Sequence, residues 1–200
     1  MPIRRAVVPL LLSALVACAE PEDGDDLLTW EGSWQAAELL FLDEATDVAY
    51  EAIHELRPEY SVEELRGLFV ATADVDYSTL EVAPDTLTFV DGSATRCAGR
   101  YHDLRDTLPT STPTGPESFQ DFELIEELEG DCSDYEAVSI TALLPEGDEA
   151  HFHIITGDEA GPLLPPPWNP SVWTTTTTPA FFAEMLEAAA PGIASALPER

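Results

Sequence analysis

STLEVAPDTLTFVDG, residues 78–92, decides how the chain is read. Apolar residues fall at every second position in each half, Leu80 and Val82 and then Leu87 and Phe89, with Pro84-Asp85 between them. Period two broken by turn residues predicts a β-hairpin with one buried face. The pattern continues beyond it. SATRCAGRYHDL is a further strand that carries Cys97, and FQDFELIEELEGDC alternates at Phe122 and Leu124 and leads into Cys132. YEAVSITALLP and AHFHIITG are two more strands, joined by the acidic turn EGDE. DTLPTSTPTGPES, rich in Pro and Thr, reads as a polar loop. Five or more strands at short intervals predict an antiparallel meander that closes into a barrel or sheet.

Helices are expected on either side of the meander. Residues 30–41 place Trp30, Trp34 and Ala37 on one stripe, and residues 43–56 do the same with Ala45, Val48, Ala49, Ala52, Ile53 and Leu56. Asp43 suits the N-cap of the second helix, and Arg57-Pro58 ends it. Ser61 and Glu64 form a capping box ahead of Leu65, Leu68 and Phe69. Near the C-terminus, Thr178 and Pro179 open a last helix striped by Phe181, Phe182, Met185, Leu186 and Ala189. The five threonines before it read as linker.

The chain has 200 residues, no lysine and a formal net charge of -31. That length suits one domain, or one domain plus a tail. The charge excludes phosphate neutralisation, so no nucleic-acid partner is expected. It also excludes an electrostatic grip on an anionic membrane, and it favours cations. Arg4 and Arg5 precede a short apolar run that ends in LVAC at Cys18. This resembles a lipoprotein signal, with residues 1–17 removed and Cys18 lipidated. Residues 18–27 then form an acidic tether, residues 28–190 the folded domain and residues 191–200 a tail. The expected location is a bacterial cell envelope, lipid-anchored. Ala19 and Glu20 carry no aspartate retention signal, which points to the outer membrane, facing the periplasm or surface. In that oxidising compartment the remaining pair, Cys97 and Cys132, reads as a disulfide; metal ligation is the rival reading, without Cys-x-x-Cys spacing to support it.

Two of the four histidines, His151 and His153, flank Phe152. On a strand such i, i+2 side chains share one face, ~6.6 Å apart, so two imidazoles can lean onto one metal ion. Two solvent-facing histidines with no ligand role fit the spacing equally. Zinc ordinarily takes three or four ligands, so a pair alone leaves the sphere incomplete. His102 follows Cys97 by five residues and is a candidate to reach the barrel interior, whereas His54 lies at the edge of its helix stripe. No nucleophile elbow, P-loop or dinucleotide fingerprint is present, so a binding protein rather than an enzyme is expected.

Taken in order, Trp30-x-Gly32-x-Trp34, the hairpin, the cysteine pair, His-Phe-His-Ile and the final helix resemble the ZinT/YodA family of periplasmic zinc-binding proteins. The resemblance implies a mainly β, lipocalin-like (calycin) antiparallel barrel with N-terminal helices and a C-terminal helix. It implies binding of zinc, or of cadmium or another divalent metal, for scavenging or delivery, with a zinc transporter component as partner. It makes Cys97–Cys132 the family disulfide and His151 and His153 two of three histidine ligands. The third matches Thr141, a poor zinc ligand, so turn carboxylates such as Asp148 or Glu149 become candidates beside His102 and Thr141 itself. The alternative is a calycin-like module with a degenerate metal site. It would hold an apolar small molecule or a partner protein against PPPWNPSVW.

Overall fold

The computed structural model describes residues 27–112, 115–146, 149–157 and 170–200. The signal segment, Cys18, residues 18–26 of the tether, Asp148 and most of the proline-rich run therefore lie outside the described residues. Leu27, expected as the tether's last residue, is instead buried in the barrel core, its amide donating to the Pro84 carbonyl at 3.0 Å.

The hairpin forms as β2 (Thr79–Ala83) and β3 (Thr86–Asp91), with Leu80 opposite Phe89 and Val82 opposite Leu87. β4 (Ala94–Thr112) and β5 (Gly115–Gly130) follow as a long ribbon. Of the Pro/Thr-rich stretch expected as a loop, residues 106–112 and 115–118 belong to this ribbon, with Pro109 opposite Ser118 and Ser111 opposite Pro116. The β3–β4 pairing stops at Arg100 and the β5–β6 pairing at Phe119. Beyond them the ribbon is two-stranded, which is where a strand tolerates residues lacking an N–H. Gly130 ends it at φ +86°, and a Cβ there would lie 2.2 Å from the Arg96 carbonyl oxygen. Only glycine fits such an approach in that conformation.

β6 (Ala137–Thr141) and β7 (Leu144–Glu146) replace the single strand expected over residues 135–145. Both pair with β8 (Glu149–Gly157), but in registers that differ by one residue. β9 (Ser171–Thr174) runs between β8 and β1. The order β6-β5-β4-β3-β2-β1-β9-β8 closes through β6–β8, leaving β7 on the flank. This is the expected lipocalin-like antiparallel barrel with helical additions. Its interior is filled by side chains, among them Trp30, Trp34, Phe89, Phe122, Phe152 and Ile154.

β1 (Gly32–Ala36) occupies residues expected to be helical; only Ala37–Phe41 form a helix, α1. Trp34 and Ala36 face the barrel core, and β1 has partners in both β2 and β9. Those non-local ladders override a helical spacing of three apolar residues. Asp43 caps a short 3-10 turn, accepting from the Ala45 amide, and α2 (Asp47–Leu56) follows. α3 (Val62–Ala73) begins with both halves of the Ser61–Glu64 capping box.

α4 (Pro179–Ala196) has Thr178 as its cap and Pro179 in its first turn. It also absorbs most of the expected tail at residues 191–200. Ile193, Ala194 and Leu197 continue the apolar stripe past Pro191 and are buried. The Arg57 guanidinium donates to the carbonyls of Ala194 (2.6 Å), Leu197 (2.9 Å) and Pro198 (2.6 Å), satisfying the helix end. α1 to α4 form a second core that rests on the outer face of the barrel, with Trp173 of β9 as its β-sheet contribution.

Candidate metal centre

The alternation along β8 separates two sets of side chains. Phe152 and Ile154 enter the barrel core; His151 and His153 face the opposite side. Their ring centroids are 5.5 Å apart at 86°. Two imidazole nitrogens ~2.0–2.1 Å from one tetrahedral metal would put the centroids about 5 Å apart. The pair is thus spaced as a two-imidazole chelate.

Both histidines are half-buried. His151 is held by an aromatic contact. It stacks on Trp173, its register partner in β9, at 4.2 Å and 12°. Trp173 also meets Phe182 of α4, the rings 5.2 Å apart at 87°. Burial, and then the neighbouring His153, push the His151 imidazole down to about 3, so it is neutral across the physiological range. Its Nδ1 is buried without a hydrogen-bond partner, as is Nε1 of Trp173. A neutral imidazole with an unpartnered ring nitrogen is chemically suited to ligate a cation.

The structure redirects several expectations. Thr141 is buried, its hydroxyl accepting from the His153 amide at 2.9 Å and its carbonyl from the Trp30 indole at 2.8 Å. That hydroxyl stands in for a ladder bond where the β8 register shifts, so Thr141 acts on His153 through the backbone. Glu149 shares the face of the histidines, but its Oε2 accepts from the hydroxyls of Thr174, Thr176 (2.8 Å) and Thr177 (3.1 Å). Those bonds, Thr174 first, hold its carboxyl below the usual carboxylate range. His102 was a candidate for the barrel interior. It follows Tyr101, which does face the core, so strand alternation turns it outward, opposite Glu123. His54 holds the Tyr60 carbonyl through Nδ1 at 2.7 Å. Among the described residues no three of His, Cys, Asp or Glu come together as a metal cluster. Cys97 and Cys132 are joined as a disulfide, Cα atoms 4.9 Å apart, which removes them from any ligand role.

Sequence reasoning missed Trp173, Gln35 and the threonines. Ser171–Thr174 alternates in a way that marks Trp173 as strand, but the neighbouring prolines obscured it. The threonines expected as linker gather around Glu149, while Gln35 Nε2 donates to the Thr174 (3.0 Å) and Thr177 (2.8 Å) carbonyls. A cleft of about 310 Å³ has a mixed lining, with Glu38, Asp74, Asp76, Asp91 and Arg96 beside Leu39, Val75 and Tyr77.

No family model matches the sequence, and no curated protein matches it. Solved structures do. Zn(II)-bound AdcA from Streptococcus pneumoniae is 18% identical with a TM-score of 0.61 over 84% of this chain. The Zn(II)-bound ZinT-like domain of the same AdcA is 17% identical with a TM-score of 0.59, again over 84% of this chain. The match spans 37% of the AdcA chain but 94% of its isolated ZinT-like domain. The fold is therefore ZinT-like, a barrel with a helical layer.

Proposed function

We propose that this chain is an envelope lipoprotein that binds a divalent metal ion, zinc first, for scavenging or delivery. His151 and His153 supply the protein nitrogens. The 5.5 Å separation of their rings on one face of β8 is the observation that carries the reading. Two neighbours of the same fold are Zn(II)-bound, which supports the choice of metal. His151 waits in the neutral form, so the ion need not displace its proton near neutral pH. Water or an acidic residue of the turn before β8 completes the sphere, and cadmium or another divalent ion competes for it. The acidic surface raises the local cation concentration at low salt. Lipidation at Cys18 keeps the domain at the outer membrane, and a transporter component receives the metal. The role is binding rather than catalysis.

Isothermal titration with zinc chloride tests it. The wild type takes up one equivalent, and the His151→Ala/His153→Ala double variant binds at least tenfold more weakly. Equal affinity in the two proteins contradicts the reading.

A further inference from the structure

The turn between β9 and α4 is held from both sides. β1 and β8 both pair with β9, and each sends one side chain to the turn. From β1, the Gln35 amide donates to the carbonyls of Thr174 and Thr177. From β8, one oxygen of Glu149 collects the hydroxyls of Thr174, Thr176 and Thr177. The turn is also closed on itself: the Thr177 amide donates to the Thr174 carbonyl at 2.9 Å, and the two hydroxyls lie 2.9 Å apart. Trp173 is the residue just before this turn, and Thr178, the cap of α4, the one just after it. The Trp173 indole, on which His151 stacks and which Phe182 meets at 87°, is thus joined directly to the start of this turn.

We propose that Glu149 is a positioning residue for the histidine pair, acting through the threonine turn and the Trp173 platform rather than by touching the metal. The inference rests on His151 and His153 as the ligands. A ring that stacks in one orientation before the ion arrives loses less conformational freedom on binding, so a looser platform lowers affinity. The three hydroxyls need an acceptor oxygen at Glu149 and not a full charge. A glutamine there keeps an acceptor, whereas a threonine set converted to valine leaves the carboxylate with nothing to gather.

The test pairs zinc titration with the proton NMR shifts of the His151 ring, which the stacked indole moves upfield. Glu149→Ala and the Thr174→Val/Thr176→Val/Thr177→Val variant should each weaken zinc binding about tenfold and move the His151 ring signals toward unstacked values before any metal is added. Glu149→Gln should stay within about threefold of wild type with its ring shifts kept. Combining the alanine and valine changes should add nothing to either alone. If Glu149→Gln loses as much as Glu149→Ala while the valine variant loses nothing, Glu149 is itself a ligand and the proposal is overturned. Unchanged affinity and unchanged ring shifts in Glu149→Ala overturn it equally. Zinc binding that survives His151→Ala/His153→Ala instead defeats the metal-site reading on which the inference rests.

Discussion

His151 carries a cost that its neighbours have accepted. A histidine whose folded pKa lies below its unfolded value destabilises the protein on acidification, because only the unfolded chain takes up the proton. That penalty is absent above ~6.5, the unfolded value, and grows as pH falls toward about 3. A His151→Phe variant retains a ring against Trp173 and loses the titration. Its stability relative to wild type should rise by about 2 kcal/mol between pH 7 and pH 5, at 1.36 kcal/mol per unit. Urea unfolding at the two pH values measures this, and a constant difference would contradict it. Thr141 supplies a second prediction at this scale. In the β6–β8 register, with Ile140 opposite Ile154, it stands opposite His153. Thr141→His should add a third imidazole and tighten zinc at least tenfold by titration. The apo protein should lose about 1–3 kcal/mol, since a buried hydroxyl bonded to the His153 amide is replaced by a larger ring.

At the scale of elements, what could be read in advance was what local spacing determines. The hairpin at residues 78–92, the Ser61–Glu64 box and the Thr178 cap each encode their structure within a few residues. β1 does not. Trp30, Trp34 and Ala37 fit a helical stripe, and only the ladders to β2 and β9, far away in sequence, make residues 32–36 a strand. The histidine pair was legible because i, i+2 spacing on a strand is itself geometric. Its platform was not, because Trp173 reaches His151 through strand pairing across a proline-rich connection. The end of α4 was hidden in the same way, since its cap is the distant Arg57. Arg57→Ala removes three bonds to the last carbonyls and should cost about 2 kcal/mol, as expected for charge-assisted bonds at a helix C-terminus. Hydrogen exchange should quicken across residues 190–200 while the barrel strands stay protected. Unchanged exchange there would show that apolar packing alone holds the helix end.

For the whole molecule, side chains fill the barrel interior, and the proposed histidine pair lies on the opposite face of β8, beside the helical layer. The disulfide ties β4 to the segment after β5, closing a loop of 35 residues. By chain entropy it contributes about 4 kcal/mol, so Cys97→Ala/Cys132→Ala should lower the denaturation midpoint accordingly while leaving zinc affinity unchanged. A loss of zinc binding in that folded variant would mean that the cysteines act on the site. The central claim, that the metal is held by His151 and His153, is tested most directly by following the ring nitrogens of all four histidines by NMR during a zinc titration. The account predicts that His151 and His153 shift together and saturate at one equivalent, while His54 and His102 stay in place. Shifts confined to His54 or His102, or no saturable shift at any ring, would contradict it.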